Sequence, residues 1–113
     1  MHICDIDSVA LETALKENSG ISGTRCDVGN AADVARLFED VEVSMGGLDV
    51  LVNNAGISGG NSPIEEIDVD EWRRTIDVNL NGMFYCVQNA TPYMKEQNSG
   101  TIINISTVSV RTG

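Results

Sequence analysis

Apolar and polar positions run along this chain in short blocks whose period changes. His2-Ile3-Cys4-Asp5 reads as the end of a strand with almost no lead-in. Asp7 then caps a helix whose Val9, Leu11, Ala14 and Leu15 make a weak apolar stripe, stopped by Asn18-Ser19-Gly20. A second short strand is expected at about Thr24 to Asp27, before Val28-Gly29. Asn30 is a good N-cap, and Val34, Leu37, Phe38, Val41 and Met45 follow helical spacing up to the Gly46-Gly47 stop. Leu48, Val50, Leu51 and Val52 then make a short apolar run, closed by Asn53, Asn54, Ala55 and Gly56. That is the pattern of a buried parallel strand ending in a polar loop.

Gly59, Gly60, Ser62 and Pro63 mark the stretch to Ile67 as a loop. Asp68 with Glu71 is a capping-box-like start, and Trp72, Ile76, Leu80, Met83, Phe84, Val87 and Met94 carry helical apolar spacing. Two helices are expected, bent near Val78 to Asn79, the second running to about Gln97. Pro92 removes one backbone donor there, at a cost of up to ~3 kcal/mol in a helix interior. Asn98-Ser99-Gly100 ends the helix, and Thr101 to Ser106 is the last strand. Strand, helix, strand, helix, strand, paired helices, strand is the order of an α/β fold: a doubly wound parallel sheet of about four strands with helices on both faces.

Composition narrows the function classes. The 113 residues suffice for one small domain, and 42% are apolar. Lys and Arg number 7 against 17 Asp and Glu, a net charge of -10 whose field repels phosphate backbones and anionic membranes. Nucleic-acid and membrane partners are disfavoured. No apolar run approaches the ~18 residues needed to cross a bilayer, and the N-terminus lacks the regions of a signal peptide, so a cytoplasmic location is expected. Cys4, Cys26 and Cys86 form no Cys-x-x-Cys pair and have only His2 as an imidazole neighbour, so no metal site is expected and all three read as buried hydrophobes.

Three of the four strands end in residues suited to a nucleotide, and in open α/β sheets ligands sit beyond the carboxyl ends of strands. Asp5 is placed to accept both hydroxyls of an adenosine ribose and to repel a 2′-phosphate. Asp27 is placed to accept from an adenine amino group, with Val28 against the ring. Asn53 to Gly56 offer hydrogen-bonding groups with little bulk, so a flat ligand has room against the main chain. Asp, Asn and Gly after strands are also ordinary turn formers and helix caps. Asn79 has two explanations: its amide caps a break between helices, or it positions water or a side chain in a site. Ser106, Thr107 and Ser109 end the last strand with three hydroxyls.

Asn53-Asn54-Ala55-Gly56 after an apolar strand, then Asp77-Val78-Asn79-Leu80-Asn81-Gly82, then Gly100-Thr101-Ile102-Ile103-Asn104-Ile105-Ser106, resemble the short-chain dehydrogenase/reductase family. Cys4-Asp5-Ile6-Asp7 and Cys26-Asp27-Val28 resemble its second and third strand ends, so the resemblance covers essentially the whole chain. It implies a Rossmann-type sheet, a nicotinamide cofactor, and hydride transfer between an alcohol and a carbonyl substrate. Asn79 takes the position of the catalytic asparagine that holds a proton-relay water, and Thr107 that of the catalytic hydroxyl, with Ser106 and Ser109 as fallbacks. Asp5, Ile6, Asp27, Val28, Asn53, Ala55, Gly56 and Val78 take cofactor positions, and Asp5 favours NAD over NADP. The helix from Leu80 to Gln97 takes the place of a subunit interface in a homo-oligomer.

The family's opening strand and Gly-rich turn, and its Tyr-x-x-x-Lys acid/base pair, have no counterpart in residues 1–113. The expectation is therefore a single, incomplete dinucleotide-binding domain over 1–113, with the first strand of the sheet missing and no turnover by itself. Unpaired edge groups at ~1 to 3 kcal/mol each further predict low stability. A non-catalytic nucleotide-binding or oligomerisation module is the alternative.

Overall fold

The computed structural model describes residues 1–106. In chain order the elements are β1 (His2–Asp5), α1 (Ser8–Glu17), β2 (Ser22–Arg25), α2 (Ala31–Met45), β3 (Val50–Asn53), a single 3-10 turn (Ile64–Glu66), α3 (Val69–Ile76), one π turn (Asp77–Asn81), α4 (Gly82–Gln97) and β4 (Thr101–Asn104).

Local chemistry sets the helix ends. The Asp7 carboxylate accepts from the N–H groups of Val9 and Ala10 at 2.9 and 3.1 Å, and Asn30 accepts from Asp33 at 3.0 Å. Asp68 caps α3 in the same way, at 3.1 Å to both Asp70 and Glu71. Gly46 ends α2 at φ +68°, a left-handed conformation that glycine adopts without strain.

All strand pairing is parallel. β1 runs beside β2 with His2 opposite Ser22 and Asp5 opposite Arg25, and β3 beside β4 with Val50 opposite Thr101 and Asn53 opposite Asn104. The expectation of a sheet with its first strand missing is corrected here. The first strand is present as β1, and every one of its four residues has a partner on β2. A second correction concerns continuity: among the described residues the four strands form two two-stranded sheets, β1–β2 and β3–β4, rather than one ladder. The second strand also starts earlier than its sequence suggests, at Ser22, because pairing with β1 outweighs the weak strand preference of Ser22 and Gly23.

Strand alternation puts a helix on each side of β1–β2. Gly23 lies under α1, where an added methyl group would stand 2.8 Å from Leu11 Cδ1, while Thr24 on the opposite face donates to Asp40 of α2 at 2.5 Å. The same face carries His2, whose ring nitrogens lie 2.7 Å from Ser22 Oγ and 2.9 Å from Thr24 Oγ1.

The core sits between α2, α4 and the strands. Val34, Leu37, Phe38 and Val41 of α2 meet Cys26, Leu48, Cys86 and Ala90, with Phe38 stacked on Tyr93 at 6.5 Å. Burying side chains such as Val34 and Phe38 contributes about 1.5–3 kcal/mol each. The buried line of the last two helical stretches is Val78, Gly82, Cys86 and Ala90, of which Gly82 lies against the Val28 loop and Cys86 and Ala90 meet α2. Gln97 at the end of α4 holds the start of the β3 segment: its Oε1 accepts from Leu48 N–H at 3.2 Å and its Nε2 donates to Leu48 C=O at 2.8 Å.

Candidate active site at the strand ends

Three loops and the π turn meet beyond the carboxyl ends of the strands. The loop after β2 is shaped by Asp27, whose N–H donates to Asp33 at 3.0 Å and whose Oδ1 accepts from Gly29 N–H at 2.9 Å. It packs directly on the π turn. A methyl group on Gly29 would stand 3.2 Å from the Asp77 main chain, and one on Gly82 would stand 3.0 Å from the Val28 carbonyl oxygen. A methyl group at either position would push its neighbour back by a few tenths of an ångström.

The loop after β3 is tied to the same turn. Asn79 Oδ1 accepts from Ile57 N–H and Asn79 Nδ2 donates to Ile57 C=O, both at 2.8 Å. A methyl group on Gly56 would lie 3.4 Å from Asn79 Oδ1. A π turn is one extra residue in a helix, a device frequent at functional sites, and here it presents Asn79 to the loop. Beneath it, Asn53 is buried and donates to Asn104 Oδ1 at 2.9 Å, which joins the ends of β3 and β4.

Asp5 reaches the rim from β1. Its carbonyl accepts from Cys26 N–H at 3.0 Å, so the ends of β1 and β2 lie side by side. Asp5 Oδ1 accepts from Asp7 N–H at 2.9 Å, and Oδ2 has no protein partner among the described residues. Asp5, Ile6, Ala55 and Gly56 are exposed, Val28 is half-buried, and Val78 and Asn53 are buried. Thr107 and Ser109 lie outside the described residues, and Ser106, at their edge, is exposed.

Sequence reading missed one side chain here. Arg74 of α3 holds both oxygens of Asp27, with Nη1 at 3.0 Å from Oδ1 and 2.8 Å from Oδ2. Nothing local marks it, because the partners are 47 residues apart. Its neighbour Arg73 makes an ordinary i,i+3 pair with Asp70 at 3.6 Å. Shallow depressions found elsewhere, around Met94, Lys95 and Gly100 and around Glu42 and Tyr93, lie toward the other end of β3 and touch none of these residues.

The short chain dehydrogenase family model matches residues 1–113. The chain belongs to the short-chain dehydrogenase family. Within this family it is 36% identical over 109 residues to a 2-dehydro-3-deoxy-L-rhamnonate dehydrogenase (NAD(+)) of Sphingomonas sp. (strain SKA58), covering 96% of this chain and 44% of that protein. An actinorhodin polyketide ketoreductase solved with NADPH superimposes with a TM-score of 0.91 at 30% identity, over 99% of this chain and 45% of the other. A 7-alpha-hydroxysteroid dehydrogenase solved with NADH and 7-oxo glycochenodeoxycholic acid gives 0.88 at 25% identity, over 97% and 44%. The chain thus spans 44–45% of the length of these three proteins. Members of the family hold NADH in one case and NADPH in the other, so an NAD(P) fold follows for this chain without a preference between the two. No helix among the described residues is long and apolar enough to cross a membrane.

Proposed function

We propose that this chain is the dinucleotide-binding part of an NAD-dependent oxidoreductase that moves hydride between an alcohol and a carbonyl. The observation that carries the reading is the meeting of the Asp27 and Gly56 loops on the π turn that bears Asn79. The residues suit an adenine dinucleotide. An uncommitted Asp5 oxygen is available to a ribose hydroxyl, Val28 offers an apolar flank to the purine, and the exposed Ala55-Gly56 main chain leaves room for a flat ligand. The nicotinamide of such a cofactor, when bound, accepts or returns a hydride. Asn79 would anchor the water that relays the proton, and Thr107 would orient the substrate oxygen.

Asp5 supports NAD over NADP. A like charge at ~4 Å costs about 1 kcal/mol in bulk water and about 4 kcal/mol near a protein surface, so a 2′-phosphate should weaken binding at least about fivefold. Titration calorimetry of the whole protein that carries this chain with NAD, NADP and the corresponding mononucleotide AMP tests both levels. Tighter NAD supports the reading, tighter NADP overturns the role of Asp5, and no binding of any of the three overturns the function.

Trp72 of α3, Leu80 of the π turn and Phe84 of α4 are 57–60% exposed, which supports a homo-oligomer formed through this helical stretch. The unpaired state of Cys4, Cys26 and Cys86 supports a reducing, cytoplasmic setting.

A further inference from the structure

The Arg74–Asp27 pair has a consequence for which base the site accepts. A carboxylate oxygen offers about two acceptor positions. Asp27 Oδ1 uses both, one for Gly29 N–H at 2.9 Å and one for Arg74 Nη1 at 3.0 Å. Oδ2 accepts from Arg74 at 2.8 Å, which leaves it a single open position. The carboxylate is held from both sides. Gly29 fixes it from its own loop, and Arg74 fixes it from the last turn of α3. A methyl group on Gly29 would stand 3.0 Å from Arg74 Nη1, so the guanidinium lies close against the glycine.

We infer that Arg74 is a positioning residue that makes Asp27 selective for a 6-amino purine over a 6-oxo purine. This rests on the proposal above that Asp27 faces the adenine. The one open position on Oδ2 can only accept, so it pairs with the amino group of adenine. The carbonyl that replaces that amino group in hypoxanthine is itself an acceptor and faces the oxygen with like polarity. Without Arg74 only the Gly29 N–H holds the carboxylate, Oδ2 loses the partner that fixes its direction, and the charge stands unneutralised near an anionic dinucleotide. The pair is also partly exposed, with side-chain accessibilities of 41% and 25%, so it carries little of the stability and its removal should leave the fold intact.

The test is the ratio of dissociation constants for NAD and nicotinamide hypoxanthine dinucleotide, measured by calorimetry on the whole protein that carries this chain, on its R74M variant and on its R74K variant, with circular dichroism as the check on folding. The unaltered chain is expected to favour NAD by about tenfold, the scale of one charge-assisted hydrogen bond. R74M should bring that ratio to within about twofold, and R74K should keep part of it because a point cation holds the carboxylate less rigidly than a guanidinium. A loss of affinity that is equal for both dinucleotides would mark Arg74 as structural only and overturn the inference. So would an unaltered chain that does not distinguish the two while still binding NAD, an outcome that leaves the proposed function standing. Binding of neither would overturn both. Should R74M not fold, R74K decides, an unchanged ratio counting against the inference.

Discussion

Asn79 grips Ile57 by both of its main-chain polar atoms, N–H and C=O, each at 2.8 Å from the carboxamide. Two hydrogen bonds at net values of about 0.5–1.5 kcal/mol predict that N79A lowers stability by about 1–3 kcal/mol, toward the low end because the pair is exposed. N79D should cost more, since a carboxylate oxygen would face the Ile57 carbonyl that now receives a donor. Urea midpoints measure both, and faster hydrogen exchange at the Ile57 amide would tie the loss to this contact.

Gly82 is the second tie between loop and helix. Alanine there gains about 1 kcal/mol of helix propensity but places a methyl group 3.0 Å from the Val28 carbonyl oxygen and 3.1 Å from Val28 Cγ2. Main chain yields less readily than the tip of a side chain, so the overpacking cost of about 1–3 kcal/mol should win. G82A is expected to lower the urea midpoint and weaken NAD binding together, because Val28 adjoins Asp27.

The helix caps at Asp7, Asn30 and Asp68 and the Gly46 stop were legible in sequence because capping is decided within four residues. Contacts between distant residues were not. Asn53 with Asn104, Gln97 with Leu48 and Arg74 with Asp27 are separated by 51, 49 and 47 residues, and no local pattern announces them. The α3–α4 stretch shows a different obstacle. Sequence reads Trp72, Ile76, Leu80, Met83, Phe84, Val87 and Met94 as its apolar face, yet Trp72, Leu80 and Phe84 are exposed, Ile76, Met83, Val87 and Met94 are half-buried, and the fully buried line is the smaller Val78, Gly82, Cys86 and Ala90. The inward line is the one that meets α2 at Cys86 and Ala90 and the Val28 loop at Gly82, contacts made by residues distant in sequence. The loops at the strand ends were readable as a group, whereas the presence of β1 as a fully paired first strand depended on its partner β2.

His2 gives the chain an acid-sensitive edge. Burial holds its pKa below the usual 6.5, although Asp40 pulls it up, so the folded state keeps the ring neutral where the unfolded chain would protonate it. The folded state then binds fewer protons, and stability is full above pH 6.5 and falls as pH drops below it. In urea melts from pH 7.5 down to about 5.5, H2Q should lose part of the slope that the unaltered chain shows.

The three thiols should differ in reactivity. Cys4 is half-buried, and a hydrogen bond from the Cys26 thiol holds its pKa below the usual 9.0. Burial pushes Cys86 up to about 11, and the same thiol contact with burial pushes Cys26 up as well. Iodoacetamide near pH 8 should alkylate Cys4 at least about tenfold faster than the other two, as read by peptide mass spectrometry. Labelling of Cys86 ahead of Cys4 in folded protein would contradict this.

One helical segment supports the β3 segment at both of its ends, Gln97 at Leu48 and Asn79 at Ile57. From Asn79 to Gln97 a helix advances about 27 Å at ~1.5 Å per residue, past the four-residue strand β3 and the loop segments that flank it. The helix therefore works as a ruler laid along the strand. Its single extra residue at the π turn rotates everything before it by about 100°, the swing that turns Asn79 toward its mark. Deleting one residue from that turn would leave the far grip closed and point the near one at empty solvent.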